Sequence, residues 1–403
     1  MGAYLLGVAL FALGIAVTIA LHEAGHMFTA RAFGMRVRRY FIGFGPTIWS
    51  KRKGHTQYGV AAVPVGGFCD IAGMTAQDPV TAEEAPHAMV NKPWWQRVIV
   101  LSGGVIMNLI VGFIILYGVA VTSGIPNPYA DHTPTVGEVT CVADQLDTET
   151  MADCSGTGPA GEAGVRVGDR ILALNGEELE DFYELRDTVL TMPGEDAVLT
   201  VERDGQVREI TVEVASVTRL NPQGFEVRAG AIGVANAPVE NAVRQFGPVE
   251  AVGATGAFTW QLLEGTVEAI IQFPAKIPGV VASIFGAERD IEGPMSVVGA
   301  SRVGGELVER SLWDVFWMML ASLNFFLALF NLIPLPPLDG GHIAVVLYEK
   351  IRDLFRRMRG KPAGGPANYE KLMPVTYVMA AALLSVGAIV IVADIVNPVR
   401  LFG

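Results

Sequence analysis

A chain of 403 residues that is 51% hydrophobic and only 17% charged is too apolar for an ordinary soluble domain. Its formal net charge of −12 argues against a nucleic-acid partner. The sequence has no phosphate loop, dinucleotide fingerprint, heptad run or low-complexity tail, which turns attention to its apolar runs.

Four such runs, 3–21, 98–121, 315–333 and 375–396, are long enough to cross about 30 Å of hydrocarbon. The first has no basic residue before Arg31 and continues into His22-Glu23-Ala24-Gly25-His26, so it reads as an uncleaved membrane helix and not as a secretory signal. On a helix His22 and His26 stand at i and i+4, on one face, where two neutral imidazoles can share Zn²⁺. Glu23 is then the candidate general base, taking a proton from water and handing it to a leaving amine. That is peptide-bond hydrolysis. The plainer alternative is a helix that ends in polar residues at the interface. An ionisable group at membrane depth costs at least about 2.5–3.5 kcal/mol, so a Glu with two His calls for a compensating cation.

After the first run, residues 40–50 and 55–63 alternate apolar and small side chains around Lys51-Arg-Lys-Gly54, the pattern of a hairpin with a basic turn. Gly66 and Gly67 permit close backbone approach, and Cys69 behind them is either a fourth ligand or a buried inert thiol. Farther on, 181–190 reads as a helix, and 198–203 with 207–214 as a hairpin across Asp204-Gly205. From 250 to 285 the chain is apolar but broken by Glu264, Glu268, Pro274 and Pro278, which predicts amphipathic helices lying on the membrane without crossing it. The third run ends in Asn331-Leu-Ile-Pro334-Leu-Pro336-Pro337-Leu-Asp339-Gly340-Gly341-His342. There Asp339 offers a hard oxygen ligand, while the prolines force the backbone out of helical geometry. Asp339 also suits the cap of a helix over 340–347.

Lys and Arg crowd 31–97 and 350–371, and the positive-inside rule puts both stretches in the cytoplasm. Both termini and the acidic segment 122–314 then face outward. His22, Glu23, His26 and Asp339 fall near the cytoplasmic side, so two distant half-sites meet at one depth. Cys141 and Cys154 lie outside, where an oxidising compartment permits a disulfide, the alternative being two free thiols.

The HEAGH and NLIPLPPLDGGH motifs together resemble the site-2 protease family of intramembrane zinc metalloproteases. Gly43-Phe-Gly45-Pro46, Val63-Pro64-Val-Gly66-Gly67-Phe68 and Gly293-Pro294-Met-Ser-Val297 extend the resemblance over nearly the whole chain. Arg38-Arg39-Tyr40, Cys69-Asp70-Ile-Ala-Gly73 and Asn397-Pro398-Val-Arg400-Leu-Phe402 resemble its actinobacterial branch. The segment from Ala163-Gly164-Val165 through Asn175-Gly176 resembles the core of a bacterial, circularly permuted PDZ domain, with Gly230-Ala-Ile-Gly233 as a peptide-end loop.

The resemblance implies that His22, His26 and Asp339 hold zinc, that Glu23 is the base and that Asn331 holds the substrate backbone. It implies a polytopic α-helical membrane protein of four transmembrane helices with a re-entrant β-hairpin, plus an extracytoplasmic PDZ-like α+β domain. The expected divisions are 1–122 (first half of the protease core), 123–240 (PDZ-like domain), 241–314 (surface helices) and 315–403 (second half of the core). The hairpin, with Gly66 and Gly67, would offer a strand edge to an unwound substrate. Implied partners are the lipid bilayer of the cell membrane, single-pass transmembrane proteins of the anti-sigma factor class already trimmed outside, and a peptide ligand of the PDZ-like domain. Two departures stand out. Gly103-Gly104-Val105-Ile-Met-Asn108 lacks the family's common Gly-Pro before the Asn, and Asn324 lies upstream of Asn331 at a variable spacing. The competing reading is a catalytically silent, PDZ-containing membrane scaffold or receptor.

Overall fold

The structure, a computed structural model, describes residues 1–75, 77–147, 150–221 and 225–402, apart from the side chains of residues 64 and 65. The chain divides into two compact units, Met1–Pro126 with Arg244–Gly403, and Asn127–Val243.

The first unit opens with α1 (Gly2–Ala32), which runs unbroken through His22 and His26 because the apolar stretch before them contains neither proline nor a polar break. A hairpin of β1 (Val37–Lys53) and β2 (Thr56–Ile71) follows, turning at Gly54, whose φ of +62° suits glycine. Both strands are longer than the alternation predicts, and repeated register shifts bend them. Phe68 stacks on Phe41 and Phe44, and the Tyr40 hydroxyl donates to the Ala20 carbonyl at 2.6 Å, which fastens the hairpin to α1. The second apolar run is divided at Ser102 into α2 (Trp94–Leu101) and α3 (Gly103–Thr122), followed by the short β3 (Ile125–Pro126).

The Asn127–Val243 unit contains β4 (Val136–Val139), α4 (Gly158–Glu162), β5 (Arg170–Leu174), β6 (Glu177–Glu178), α5 (Phe182–Leu190), β7 (Asp196–Arg203), β8 (Gln206–Glu213), β9 (Ala215–Leu220), β10 (Glu226–Ala231) and β11 (Val234–Asn236). A four-stranded sheet has the order β6-β5-β7-β8, with two-stranded pairs β4–β11 and β9–β10. Asp204 and Gly205 both take positive φ, 52° and 73°, as a two-residue hairpin turn requires. Asp181 caps α5 by accepting from the Glu184 amide at 2.9 Å, and Leu185 and Val189 pack onto Ile171, Leu199, Val201 and Val212. Cys141 and Cys154 are joined in a disulfide.

The chain then returns to the first unit with α6 (Glu250–Ile284), α7 (Val297–Glu309), α8 (Trp313–Leu332), α9 (Asp339–Met358) and α10 (Met373–Val396). Here the expectation of several separate helices over 250–285 needs correction. α6 is one continuous helix of 35 residues that includes Pro274 and Pro278 and is long and apolar enough to cross a membrane, as are α1, α3, α8 and α10. Five described helices therefore meet that criterion where hydropathy predicted four. Glu264 and Glu268 dilute the apolar average of α6 without ending it, because Trp260 and Gln272 hold these carboxylates one turn away at 2.7 and 2.9 Å.

Candidate metal centre

Three side chains from the two ends of the sequence converge in the first unit. His22 and His26, one turn apart on α1, bring their Nε2 atoms within 3.3 Å of each other. Asp339, the first residue of α9, places Oδ2 3.2 Å from His22 Nε2 and 3.3 Å from His26 Nε2. The α9 cap position falls to Leu338, and Asp339 is the first helical residue. The three ligand atoms form a nearly equilateral triangle. A tetrahedral zinc ion with bonds of about 2.0–2.1 Å needs its ligands about 3.3 Å apart, so this donor set fits zinc.

Hydrogen bonding supports the same assignment. His26 Nδ1 lies 2.8 Å from the Val100 carbonyl of α2, an acceptor only, so Nδ1 carries the proton and Nε2 presents its lone pair to the triangle. Asp339 Oδ2 and His22 Nδ1 are buried and have no hydrogen-bond partner among the described residues. An acceptor left bare inside a protein is destabilising by about 1–3 kcal/mol unless a cation or water answers it.

Two contacts set the scaffold. α1 and α3 meet backbone to backbone, since a Cβ on Gly103 would stand 2.6 Å from the Gly25 carbonyl. At Gly104 a Cβ would come 2.5 Å from His26 Nε2 and 2.6 Å from His22 Nε2, so this glycine keeps the space before the imidazoles open. On the other side, Arg97 of α2 donates to Glu349 of α9 at 2.7 Å with both side chains buried. That pair fixes the helix bearing Asp339 to the helix whose Val100 orients His26.

Glu23 follows His22 directly and is half-buried, and its Cγ would lie 3.0 Å from a Cβ on Gly67. Gly67 therefore lets β2 pass close to the prospective base, whereas a Cβ on Gly66 would strike the Phe44 ring at 2.5 Å. Asn331, on the last turn of α8, uses its Nδ2 to donate to the Leu327 carbonyl at 2.9 Å. Asn324 is fully buried and ties α8 to α1 by donating to Thr18 Oγ1 at 3.2 Å. Cys69 is not in the cluster of candidate ligands among the described residues. Cys141 and Cys154 belong to the other unit.

Sequence reasoning marked Gly104 and Asn108 only as a departure from the family pattern, and gave Arg97 and Glu349 no part in the site. The signals were present: a Gly-Gly pair opening an apolar run, two ionisable residues beside apolar stretches, and an Asn inside one. Asn108, one turn beyond Gly104, is fully buried with neither amide atom partnered among the described residues.

Three findings relate this arrangement to known proteins. The family described as Peptidase family M50 matches residues 10–368. The zinc metalloprotease Rip1 of Mycolicibacterium smegmatis is 46% identical over 98% of this chain and 99% of its own length, and the Rip1 of Mycobacterium tuberculosis is 44% identical over 99% of each. Among solved structures, the PDZ domain of an SdrC-like protein from Listeria monocytogenes covers 27% of this chain and 92% of its own at 14% identity and a TM-score of 0.16, a likeness too slight to bear on the fold.

Proposed function

Because the chain belongs to peptidase family M50, we propose that His22, His26 and Asp339 hold its zinc ion and that Glu23 is the general base of the reaction. The chain is a multi-pass intramembrane zinc metalloendopeptidase. The observation that carries the residue assignment is the triangle of His22 Nε2, His26 Nε2 and Asp339 Oδ2 with edges of 3.2–3.3 Å.

Bound zinc supplies Lewis acidity, which lowers the pKa of water from about 15.7 toward about 7 and polarises a carbonyl. Glu23 accepts the proton that water gives up as its oxygen bonds to the scissile carbonyl carbon. The same carboxyl returns that proton to the amide nitrogen as the C–N bond breaks, leaving a carboxylic acid and an amine, and the acid's remaining proton passes to the amine to give carboxylate and ammonium. His26, held by Val100, keeps its lone pair directed inward throughout. A membrane helix hides its amides in its own hydrogen bonds, so the substrate must unwind first. The edge of β2 at Gly66 and Gly67 offers the unwound backbone new partners beside Glu23, and the Asn331 amide can clamp it.

Several finer points rest on charge pattern and resemblance. The active site lies near the cytoplasmic face, the hairpin is re-entrant, and the Asn127–Val243 unit is an extracytoplasmic PDZ-like domain that takes a peptide. The substrates are single-pass proteins of the anti-sigma factor class, trimmed before they enter. Metal analysis of the purified full chain tests the centre of this reading. His22→Ala, His26→Ala and Asp339→Ala should each lose zinc, and full zinc occupancy in Asp339→Ala would remove Asp339 as a ligand.

A further inference from the structure

α9 differs from the other long helices around it. α8 and α10 are predominantly apolar, whereas the C-terminal part of α9 is mostly charged and carries an apolar stripe of Leu347, Ile351, Leu354, Phe355 and Met358 at the spacing of one helical face. All five are exposed, Met358 to 75%. The side that packs against the protein is a different one, where Val346 and Glu349 are buried. Cations border the stripe along both edges, Lys350 and Arg357 seven residues apart on one, Arg352 and Arg359 seven apart on the other. Trp94, with its ring centroid 5.7 Å from Lys350 Nζ, lines with Lys350 and Arg357 a cavity of about 230 Å³.

The position of the helix in the chain limits what can cover this stripe. α8 is long enough to cross a membrane and ends at Leu332, so α9, starting at Asp339, begins at a membrane boundary. It is too polar to cross, and its stripe can reach hydrocarbon only by lying in the plane of the interface. We propose that α9 is an interfacial helix that binds the anionic phospholipid surface of the leaflet from which α8 emerges. Its stripe sits in the acyl chains, and Lys350 and Arg357 on one edge and Arg359 on the other reach to lipid phosphates, while Arg352 is held by Asp353 and the Gly365 carbonyl. Asp339 is the first residue of this helix, so the lipid surface braces the element that carries the candidate third ligand.

The test uses the full chain reconstituted in vesicles of phosphatidylcholine, alone or with about 30% phosphatidylglycerol. Photo-reactive benzoylphenylalanine replaces Leu354, and lipid adducts are read by mass spectrometry. Adducts should form at this position and increase several-fold with phosphatidylglycerol, while hydrogen exchange over 347–358 slows. Lys350→Gln and Arg357→Gln should each reduce the phosphatidylglycerol preference roughly fivefold, the effect of about 1 kcal/mol per surface cation, with zinc content unchanged. Adducts to a second copy of the chain in place of lipid, or no adducts at all, would overturn the proposal. Equal adduct yield and exchange in the two vesicle types would overturn its anionic character.

Discussion

Asp169 and Asp339 are both carboxylates withdrawn from water, one in each unit, and their surroundings differ in kind. Asp169, 1% exposed, has both oxygens answered: Oδ1 accepts from Arg203 Nε at 2.6 Å, and Oδ2 from Arg203 Nη2 at 2.6 Å and from the Arg166 amide at 2.8 Å. Arg203 Nη2 also donates to the Gly164 carbonyl. Asp339 instead turns Oδ2 toward two imidazole nitrogens and accepts nothing there among the described residues. Similar residue types thus make a closed structural pair in one place and an open donor set in the other. What separates them is whether each lone pair already has its hydrogen.

The sharpest way to break this contrast is at the base. Glu23→Gln keeps the size of the side chain but cannot accept a proton, so cleavage of a transmembrane substrate in vesicles should fall by about 10²–10⁴-fold while zinc content stays at the wild-type level. Retained proteolysis in that variant would sink the general-base role. Next in size is Gly104→Ala. The added methyl would stand 2.5–2.6 Å from both Nε2 atoms, so the imidazoles must turn away and zinc affinity should drop by roughly 10–100-fold, the scale of losing a ligand's orientation. A competition titration with a chelator measures it, and unchanged affinity would show that the cradle has room to spare.

The contrast also explains what could be read in advance. The histidines and Glu23 were legible because their relation is local: a helix one turn long suffices to align them. Asp339 was reachable only as a motif 313 residues after His26 whose predicted depth matched. The role of Gly104 was not legible, because it depends on α3 lying against α1 at Gly25, and no spacing within either run encodes that contact. α6 was misjudged for a different reason. Pro274 and Pro278 were read as breaks, yet the helix persists through them, so the local rule lost to the surrounding structure. In the other unit Asp204-Gly205 and the Asp181 cap were readable because turn and cap chemistry are carried by adjacent residues.

A smaller effect is expected at the closed pair. Asp169→Asn should destabilise its unit by about 1–3 kcal/mol through the unmet demand of Arg203 and leave zinc content alone. The pH dependence has a definite sign. Burial by itself would raise the Asp169 carboxyl, but Arg203 and the Arg166 amide outweigh it and hold the group below its ordinary value. A depressed folded-state pKa gives stability that is present above the unfolded value near 3.9 and is lost as pH falls through the folded one. Hydrogen exchange of the full chain, read on peptides from 127–243, should therefore quicken as pH drops below about 4 after correction for intrinsic rates, and Asp169→Asn should flatten that response. An unaltered pH response in the variant would mean that other carboxylates control it.

The smallest effect is predicted at Asn331, where the open and closed cases are hardest to tell apart. Its Nδ2 already donates to the Leu327 carbonyl, a local bond one turn back that any helix-ending Asn can make, and this alone is worth about 0.5–1.5 kcal/mol. The side-chain oxygen and the second amide hydrogen remain chemically suited to a substrate backbone, which offers a donor and an acceptor at every residue. If Asn331 clamps substrate, Asn331→Ala should keep zinc and thermal stability while reducing kcat/KM by roughly 3–10-fold, the worth of one hydrogen bond to a strained, unwound segment. If it serves only Leu327, the same variant should melt earlier while each folded molecule turns over at the wild-type rate. Measuring kcat/KM per zinc-loaded molecule alongside the melting temperature separates these outcomes, because a closed structural bond appears in the melt and an open binding group in the rate.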